Sequence, residues 1–215
     1  MIQKGVKFNR MHSFEDFDLI LSKAEISPAI PKTNFIEIPG SDIPIDLTEA
    51  LGDVNYSSRE CKFTFTMNPS GDLSEGGFEA KKTEVSNALN GLACKIILDK
   101  DPDYFYQGRC IVDEYLSDKR IRQIVVKATV HPYKYKVTET TVSVTSGNHI
   151  LSNDRMPVVP TITTTNETTL TFNGNTYALN AGTHKILNLQ LKQGKNAVTV
   201  ETEGTVIFKY RKGAL

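Results

Sequence analysis

The stretch that decides the fold class runs from residue 87 to residue 135 and reads NALNGLACKIILDKDPDYFYQGRCIVDEYLSDKRIRQIVVKATVHPYKY. A helical segment ends at Asn90-Gly91, because glycine readily adopts the left-handed backbone that stops a helix. A short apolar strand, an acidic turn, an aromatic strand and a long hairpin follow. Pro132 closes the last strand, because proline has no amide donor for a sheet. We therefore expect a mainly β protein with one short helix.

The hairpin and the segments before it refine this expectation. Its arms are predicted at 109–116 and 119–130, joined across Ser117-Asp118. Residues 61–67 alternate between apolar and polar side chains, which predicts a half-buried strand. The Gly-rich and acidic residues 68–77 predict a surface loop, followed by a helix of about three turns.

The composition changes after Tyr135. Residues 136–171 are crowded with threonine, whose β-branched side chain favours strands. Turn signals recur at Gly174, Gly182, Gly194 and Gly204, and short apolar segments such as 186–191 lie between them. This spacing predicts an antiparallel β-sandwich. We therefore place two domains, at residues 1–135 and 136–215.

Charge and composition argue against several classes of function. The chain of 215 residues has Lys+Arg 25 and Asp+Glu 25, so its formal net charge is zero. Proteins that bind nucleic acid usually carry excess basic residues, so we expect no specific nucleic-acid binding, although DNA could pass through a lumen without affinity. We find no signal peptide and no apolar run near the ~20 residues of a membrane helix. We therefore expect synthesis and folding in the cytoplasm.

No residues predict catalysis, a cofactor or a metal. The chain has no nucleophile elbow, no phosphate-binding loop and no dinucleotide motif, so we expect it not to be an enzyme. The histidines are scattered, and the acidic run 99–103 lacks the glycine and the closing glutamate of a calcium loop. Cys61, Cys94 and Cys110 lie in apolar contexts, where buried free thiols are the expected state.

Several short segments carry a resemblance to a known family. Asn90-Gly91, residues 104–109 and Pro132-Tyr133 occur in this order, after Pro39-Gly40 and residues 45–48 and 56–59. The ordered set resembles the first domain of the distal tail (Dit) proteins of long-tailed bacteriophages and prophages. The resemblance covers residues 1–135 well and the remainder weakly. Residues 42–44 depart from it, because more flexible, glycine-containing sequence is usual there.

The resemblance implies an architectural part of a virus particle. It implies a β-barrel or sandwich-like first domain that assembles into a six-membered ring at the tip of the tail tube. It also implies a galectin-like second β-sandwich that projects outward. The ring would join the tube to the baseplate or tail-tip proteins and leave a channel for DNA. The expected location is thus the virion tail tip, and the expected partners are further copies of the chain and other tail proteins, with no membrane.

An alternative function is a binding module, with the second sandwich recognising a glycan of the host cell surface. A shape shared with a lectin does not show sugar binding, because function resides in the site and not in the fold. The two functions differ in which domain carries the binding surface.

Ile43 and Ile45 are the candidate subunit contacts. With Ile36 and Ile38 they lie close together in or next to a proline-interrupted loop, residues 37–50, which we expect to follow the protein surface. Apolar side chains in such a segment are difficult to bury internally, so they are candidates for an interface. Packing of these isoleucines onto their own domain is the alternative.

Overall fold

The chain divides into two compact units, Met1–Pro132 and Tyr133–Leu215. The structure is a computed structural model that describes residues 5–50, 52–118 and 121–215. The division falls three residues before the predicted boundary at 135/136, and the independent folding of the two domains stays a prediction. The prediction of a mainly β chain with one short helix is confirmed.

The first unit is built on one antiparallel sheet. Its elements are β1 (Val6–Phe8), β2 (Met11–His12), β3 (Leu19–Ile26), β4 (Phe35–Ile36), β5 (Ile45–Asp46), β6 (Arg59–Met67), α1 (Glu75–Leu89), β7 (Ala93–Leu98), β8 (Asp101–Asp118) and β9 (Ile121–Val130). The strand order is β2-β1-β7-β8-β9-β6-β3, and β4 pairs only with β5 among the described strands. Consecutive pairs such as β7/β8 and β8/β9 are hairpins, as expected for antiparallel strands with short connections.

Strand β6 has the burial pattern that its sequence predicts. Cys61, Phe63, Phe65 and Met67 are buried, whereas the residues between them are half-buried. The same alternation holds on β9 for its second half, where Val126, Ala128 and Val130 face the core. The buried faces of these strands meet Phe8 of β1, whose ring centre lies 6.0 Å from that of Phe63.

Helix α1 begins earlier than the sequence suggested. Ser74 caps it by accepting a hydrogen bond from the Gly77 amide, so Gly76 and Gly77 are helical and not part of the predicted 68–77 loop. Phe78, Val85 and Leu89 form its buried face. The helix ends as predicted, with Gly91 at a positive φ of 77°.

The β8/β9 hairpin is longer than predicted. Ser117 and Asp118 were expected in its turn, but they continue β8 and pair with Arg122 and Ile121. The connecting residues 119 and 120 lie outside the described residues. Local turn preference is overridden here by the ladder of hydrogen bonds to β9. Asp99 and Lys100 form the tight turn between Leu98 and Asp101, which are paired, and the rest of the acidic run, residues 101–103, begins β8.

The second unit is an antiparallel β-sandwich. Its elements are β10 (Lys134–Lys136), β11 (Thr140–Val144), β12 (Gly147–Asn153), β13 (Thr161–Thr164), β14 (Thr168–Phe172), β15 (Asn175–Leu179), β16 (Gly182–Lys185), β17 (Gly194–Thr202), β18 (Val206–Tyr210) and β19 (Gly213–Ala214). Two four-stranded sheets have the orders β11-β18-β13-β16 and β12-β17-β14-β15, and both contribute to one core. This arrangement confirms the predicted sandwich.

Residues 186–191 were predicted as a strand but form a loop. The chain turns at Leu187-Asn188, and Leu189 and Leu191 are then buried in the sandwich core. Leu191 makes a single bridge to Val158. The apolar alternation therefore reflects a loop that covers the core.

No helix in the described part of the chain is long and apolar enough to cross a membrane.

Candidate assembly surface

A long two-stranded ribbon leaves the first sheet between β3 and β6. We define the ribbon as residues 27–50 and 52–58. At its base the Ser27 amide donates to the Glu60 carbonyl over 2.9 Å. Further out, three more backbone hydrogen bonds join the two sides. The amides of Ser57, Lys32 and Leu47 donate to the carbonyls of Ile30, Asn55 and Asn34, over 2.9, 2.8 and 2.8 Å respectively. The two sides of the ribbon are therefore joined to each other by a ladder of backbone hydrogen bonds.

The far part of the ribbon has no core of its own. Every residue from 30 to 46 is exposed. Ile43 is 77% exposed and Ile45 is 48% exposed, although both are large apolar residues. The expectation that residues 37–50 follow the protein surface as a loop is wrong for residues 37–46, which lie in the exposed and partly paired end of the ribbon, whereas Leu47 and Thr48 are half-buried.

The structure brings the candidate isoleucines together. Ile36 and Ile45 are direct partners across β4/β5, and Ile38 and Ile43 flank the turn beyond them. Sequence reasoning missed Ile30 and Phe35, which are also exposed large apolar residues of the ribbon. Their signal was available, since both are large apolar residues in the same proline-interrupted segment.

The ribbon tip has a defined conformation. Gly40 has a positive φ of 83°, and the Ser41 amide donates to the Ile38 carbonyl over 3.0 Å. The Ser41 hydroxyl accepts a hydrogen bond from the Ile43 amide at 3.2 Å and donates to the Ile43 carbonyl at 3.1 Å. These bonds hold the backbone of Ile43 at the tip, where its side chain is exposed.

The ribbon also carries negative charge. Hydrogen bonds from the Thr48 hydroxyl and then from the Thr48 amide lower the pKa of Asp46, so this carboxylate stays ionised through neutral and mildly acidic pH. Glu37 and Asp42 are exposed nearby. A partner surface must therefore accept apolar side chains beside carboxylates.

A second exposed apolar patch lies on the β8/β9 hairpin. We call Ile111, Leu116 and Ile121 the hairpin patch, since they are exposed by 50%, 46% and 49%. Leu116 pairs with Gln123, and Ile121 pairs with Asp118, so Leu116 and Ile121 are diagonal neighbours on one face.

Helix α1 braces this hairpin from its other face. The Arg122 guanidinium lies 5.2 Å from the centre of the Phe78 ring and 3.0 Å from the Glu75 carboxylate. Ser86 also hydrogen-bonds the Tyr115 hydroxyl. The hairpin patch is therefore held on a supported element.

One open groove of the first unit is lined by basic side chains and has no catalytic arrangement. Its volume is about 460 Å³, and its lining includes Lys95, Arg109 and His131 but no carboxylate among the described residues. We call it the basic groove. Across the described residues, no group of three or more His, Cys, Asp or Glu could hold a metal ion.

Comparison with known proteins identifies the fold. No protein-family model matches the chain, and no curated protein matches it in sequence. Among solved structures, SPP1 Dit (gp 19.1) matches with a TM-score of 0.72 and 15% identity, over 99% of both chains. The chain has a Dit fold. That protein is described as a paradigm of the hub adsorption apparatus in phages that infect Gram-positive bacteria.

The Dit fold extends over both units, because the match covers nearly all of each chain. The resemblance to distal tail proteins that the sequence suggested is thus confirmed for the fold. The ring, its six copies and the galectin-like character of the second domain stay predictions.

Proposed function

We propose that this chain is a structural protein of a phage tail, which assembles as a ring at the distal end of the tail tube. The ring is expected to have six copies and to join the tube to the baseplate or tail-tip proteins. The observation that carries this proposal is the ribbon, which exposes six large apolar residues outside any core: Ile30, Phe35, Ile36, Ile38, Ile43 and Ile45. Surfaces of this kind on a soluble domain are typical of protein interfaces.

A ring needs two different patches on each copy, because its interface is heterologous. The first unit offers both: the ribbon and the hairpin patch. In the proposed ring, the ribbon of one copy packs against the hairpin patch of the next. Ile43 and Ile45 are the proposed contacts on the ribbon side, and both keep their backbone positions without a partner.

The remaining partners follow from the same role. The formal net charge of zero supports a channel that DNA passes through without specific binding. Contacts with other tail proteins are expected at the two faces of the ring. We propose no catalytic activity and no cofactor for this role.

Glycan binding by residues 136–215 gains no support from the aromatic side chains of that segment. Sugar sites commonly use exposed aromatic rings for stacking. Phe172, Phe208 and Tyr210 are buried in the sandwich core, and Tyr177 packs against it. The glycan-binding alternative therefore stays an untested prediction.

The assembly proposal is tested by Ile43→Asp with Ile45→Asp in the full chain. We expect a folded monomer whose association is weaker by roughly a hundredfold or more, since burial of two isoleucines contributes about 3 kcal/mol or more. Native mass spectrometry would measure the distribution of oligomers, and circular dichroism would confirm folding.

The matched control is Leu187→Asp in the second unit. Leu187 is as exposed as Ile43, at 77%, but it lies on neither proposed patch. This variant should assemble like the unmodified chain. A ring that survives the double ribbon substitution would remove the ribbon from the interface.

A further inference from the structure

Cys94 and Cys110 bring their sulfur atoms into contact inside the first unit. Cys94 lies on β7 and Cys110 on β8, and the two Sγ atoms are 2.7 Å apart. Both are free thiols, with residue exposures of 4% and 0%. A disulfide bond would require a further approach of only about 0.7 Å.

The sheet holds the two thiols in this position. Cys94 pairs with Gly108, so Cys110 is its diagonal neighbour on the same face. The Cys110 amide donates to the Leu92 carbonyl over 2.8 Å, and the Gly91 amide donates to the Cys110 carbonyl over 2.8 Å. The backbone is thus fixed on both sides of the pair.

The two thiols have different surroundings. Cys94 lines the basic groove beside Lys95 and Arg109, whereas Cys110 is fully enclosed. The hydrogen bond from the Cys110 S–H lowers the pKa of Cys94, and the same bond together with burial raises the pKa of Cys110. Cys94, the more accessible of the two thiols, is therefore also the one that ionises more readily to the thiolate.

Cys61 provides an internal contrast. It is fully buried, and burial raises the pKa of its thiol to about 12. A thiol of this kind is protonated at neutral pH and reacts slowly. Cys61 and Cys94 belong to the same core, so the opposite shifts of their pKa values come from their immediate surroundings: Cys94 has a thiol partner and Cys61 has only burial as the main effect.

We propose that Cys94 and Cys110 are an oxidisable pair that forms an intrachain disulfide when the protein meets a peroxide. The Cys94 thiolate attacks one peroxide oxygen: the S–O bond forms, the O–O bond breaks, and hydroxide leaves and is protonated to water. The Cys110 sulfur then attacks the Cys94 sulfur. The S–S bond forms, the S–O bond breaks, and the departing hydroxide takes the Cys110 proton. Two thiols are oxidised by two electrons, and hydrogen peroxide is reduced to two waters.

The disulfide would covalently link strand β7, which follows α1, to strand β8. Disulfides persist outside the reducing cytoplasm, so the bond would form after release of a particle from the cell. This consequence rests on the proposed function, whereas the chemistry of the pair does not.

The test is oxidation of the purified full chain with hydrogen peroxide at neutral pH. We expect two of the three thiols to disappear, with a mass loss of about 2 Da for two hydrogen atoms. After trypsin digestion, the peptides 83–95 and 110–119 should be joined until a reductant is added. Cys61→Ser should form the same link, whereas Cys94→Ser and Cys110→Ser should not.

Other outcomes would overturn the inference. These are a bond that includes Cys61, a bond between chains, or a stable oxyacid on Cys94 with Cys110 still free. Persistence of all three thiols, while urea-unfolded chain oxidises under the same conditions, would also overturn it. The readout is independent of assembly. If the chain forms the Cys94–Cys110 bond but no ring, this inference stands and the proposed function fails.

Discussion

At the scale of single residues, Gly108 determines how closely two strands of the first sheet approach. It pairs with Cys94 on β7 and with Val130 on β9. A Cβ atom at this position would lie 2.1 Å from the Thr129 carbonyl oxygen and 2.7 Å from the Val130 Cα. The glycine is thus required for the close packing of β8 against β9.

We predict that Gly108→Ala lowers the free energy of unfolding by about 3 kcal/mol, because the added methyl group meets backbone that cannot move independently. Gly76→Ala, in the first turn of α1, is the matched control, since the atom nearest to its Cβ outside the helix backbone would be the Ser74 hydroxyl oxygen, 4.0 Å away. That variant should be unchanged or more stable by up to about 1 kcal/mol, because alanine favours helices. Urea titration of both variants would measure the effect, and equal stabilities would contradict it.

At the scale of elements, the ribbon differs most from what its sequence indicates. Its prolines and polar residues predict a loop, yet the chain forms a paired hairpin that begins at Ser27 and returns at Glu60. The pairing joins residues up to 33 positions apart, so no local pattern could reveal it. The element that is proposed to bind a neighbour is therefore also the one that depends most on tertiary structure.

We predict that a non-specific protease cuts the isolated chain within residues 37–46, and that assembly protects this segment. Exposed segments without a core are cleaved first, and burial in an interface would remove that access. The exposed turn at Ser70–Gly71 is the internal control, because it lies outside both proposed patches and should be cut equally in both states. Mass mapping of early fragments would decide, and equal cleavage of residues 37–46 in ring and monomer would contradict the prediction.

At the scale of the whole molecule, the two units have separate cores. The first core contains residues from β1, β3, β6, α1, β7, β8 and β9, and the second contains residues from both sheets of the sandwich. The ribbon and the hairpin patch both belong to the first unit. The capacity to assemble should therefore reside in that unit.

We predict that a fragment of residues 1–135 forms the same oligomer as the full chain. The fragment keeps the first core and both proposed patches, so its interface should be complete. Native mass spectrometry of both proteins at equal concentration would test this. If the fragment stays monomeric where the full chain forms a hexamer, the other unit builds the ring.

Sequence alone determined those features that depend on neighbouring residues. The alternation on β6 predicted its buried face, Asn90-Gly91 predicted the end of α1, and threonine-rich strands with regular turns predicted the sandwich. These signals are local, because side-chain direction repeats every two residues in a strand and glycine relieves a local backbone restriction.

Only the tertiary structure decided the remaining features. Ser117 and Asp118 belong to strand β8 and not to the hairpin turn, residues 186–191 form a loop over a core, and the isoleucines of the ribbon are exposed. The contact between Cys94 and Cys110 likewise joins residues that are 16 positions apart. Each of these outcomes is set by hydrogen bonds or packing between segments distant in sequence, and such contacts override the preferences of short stretches.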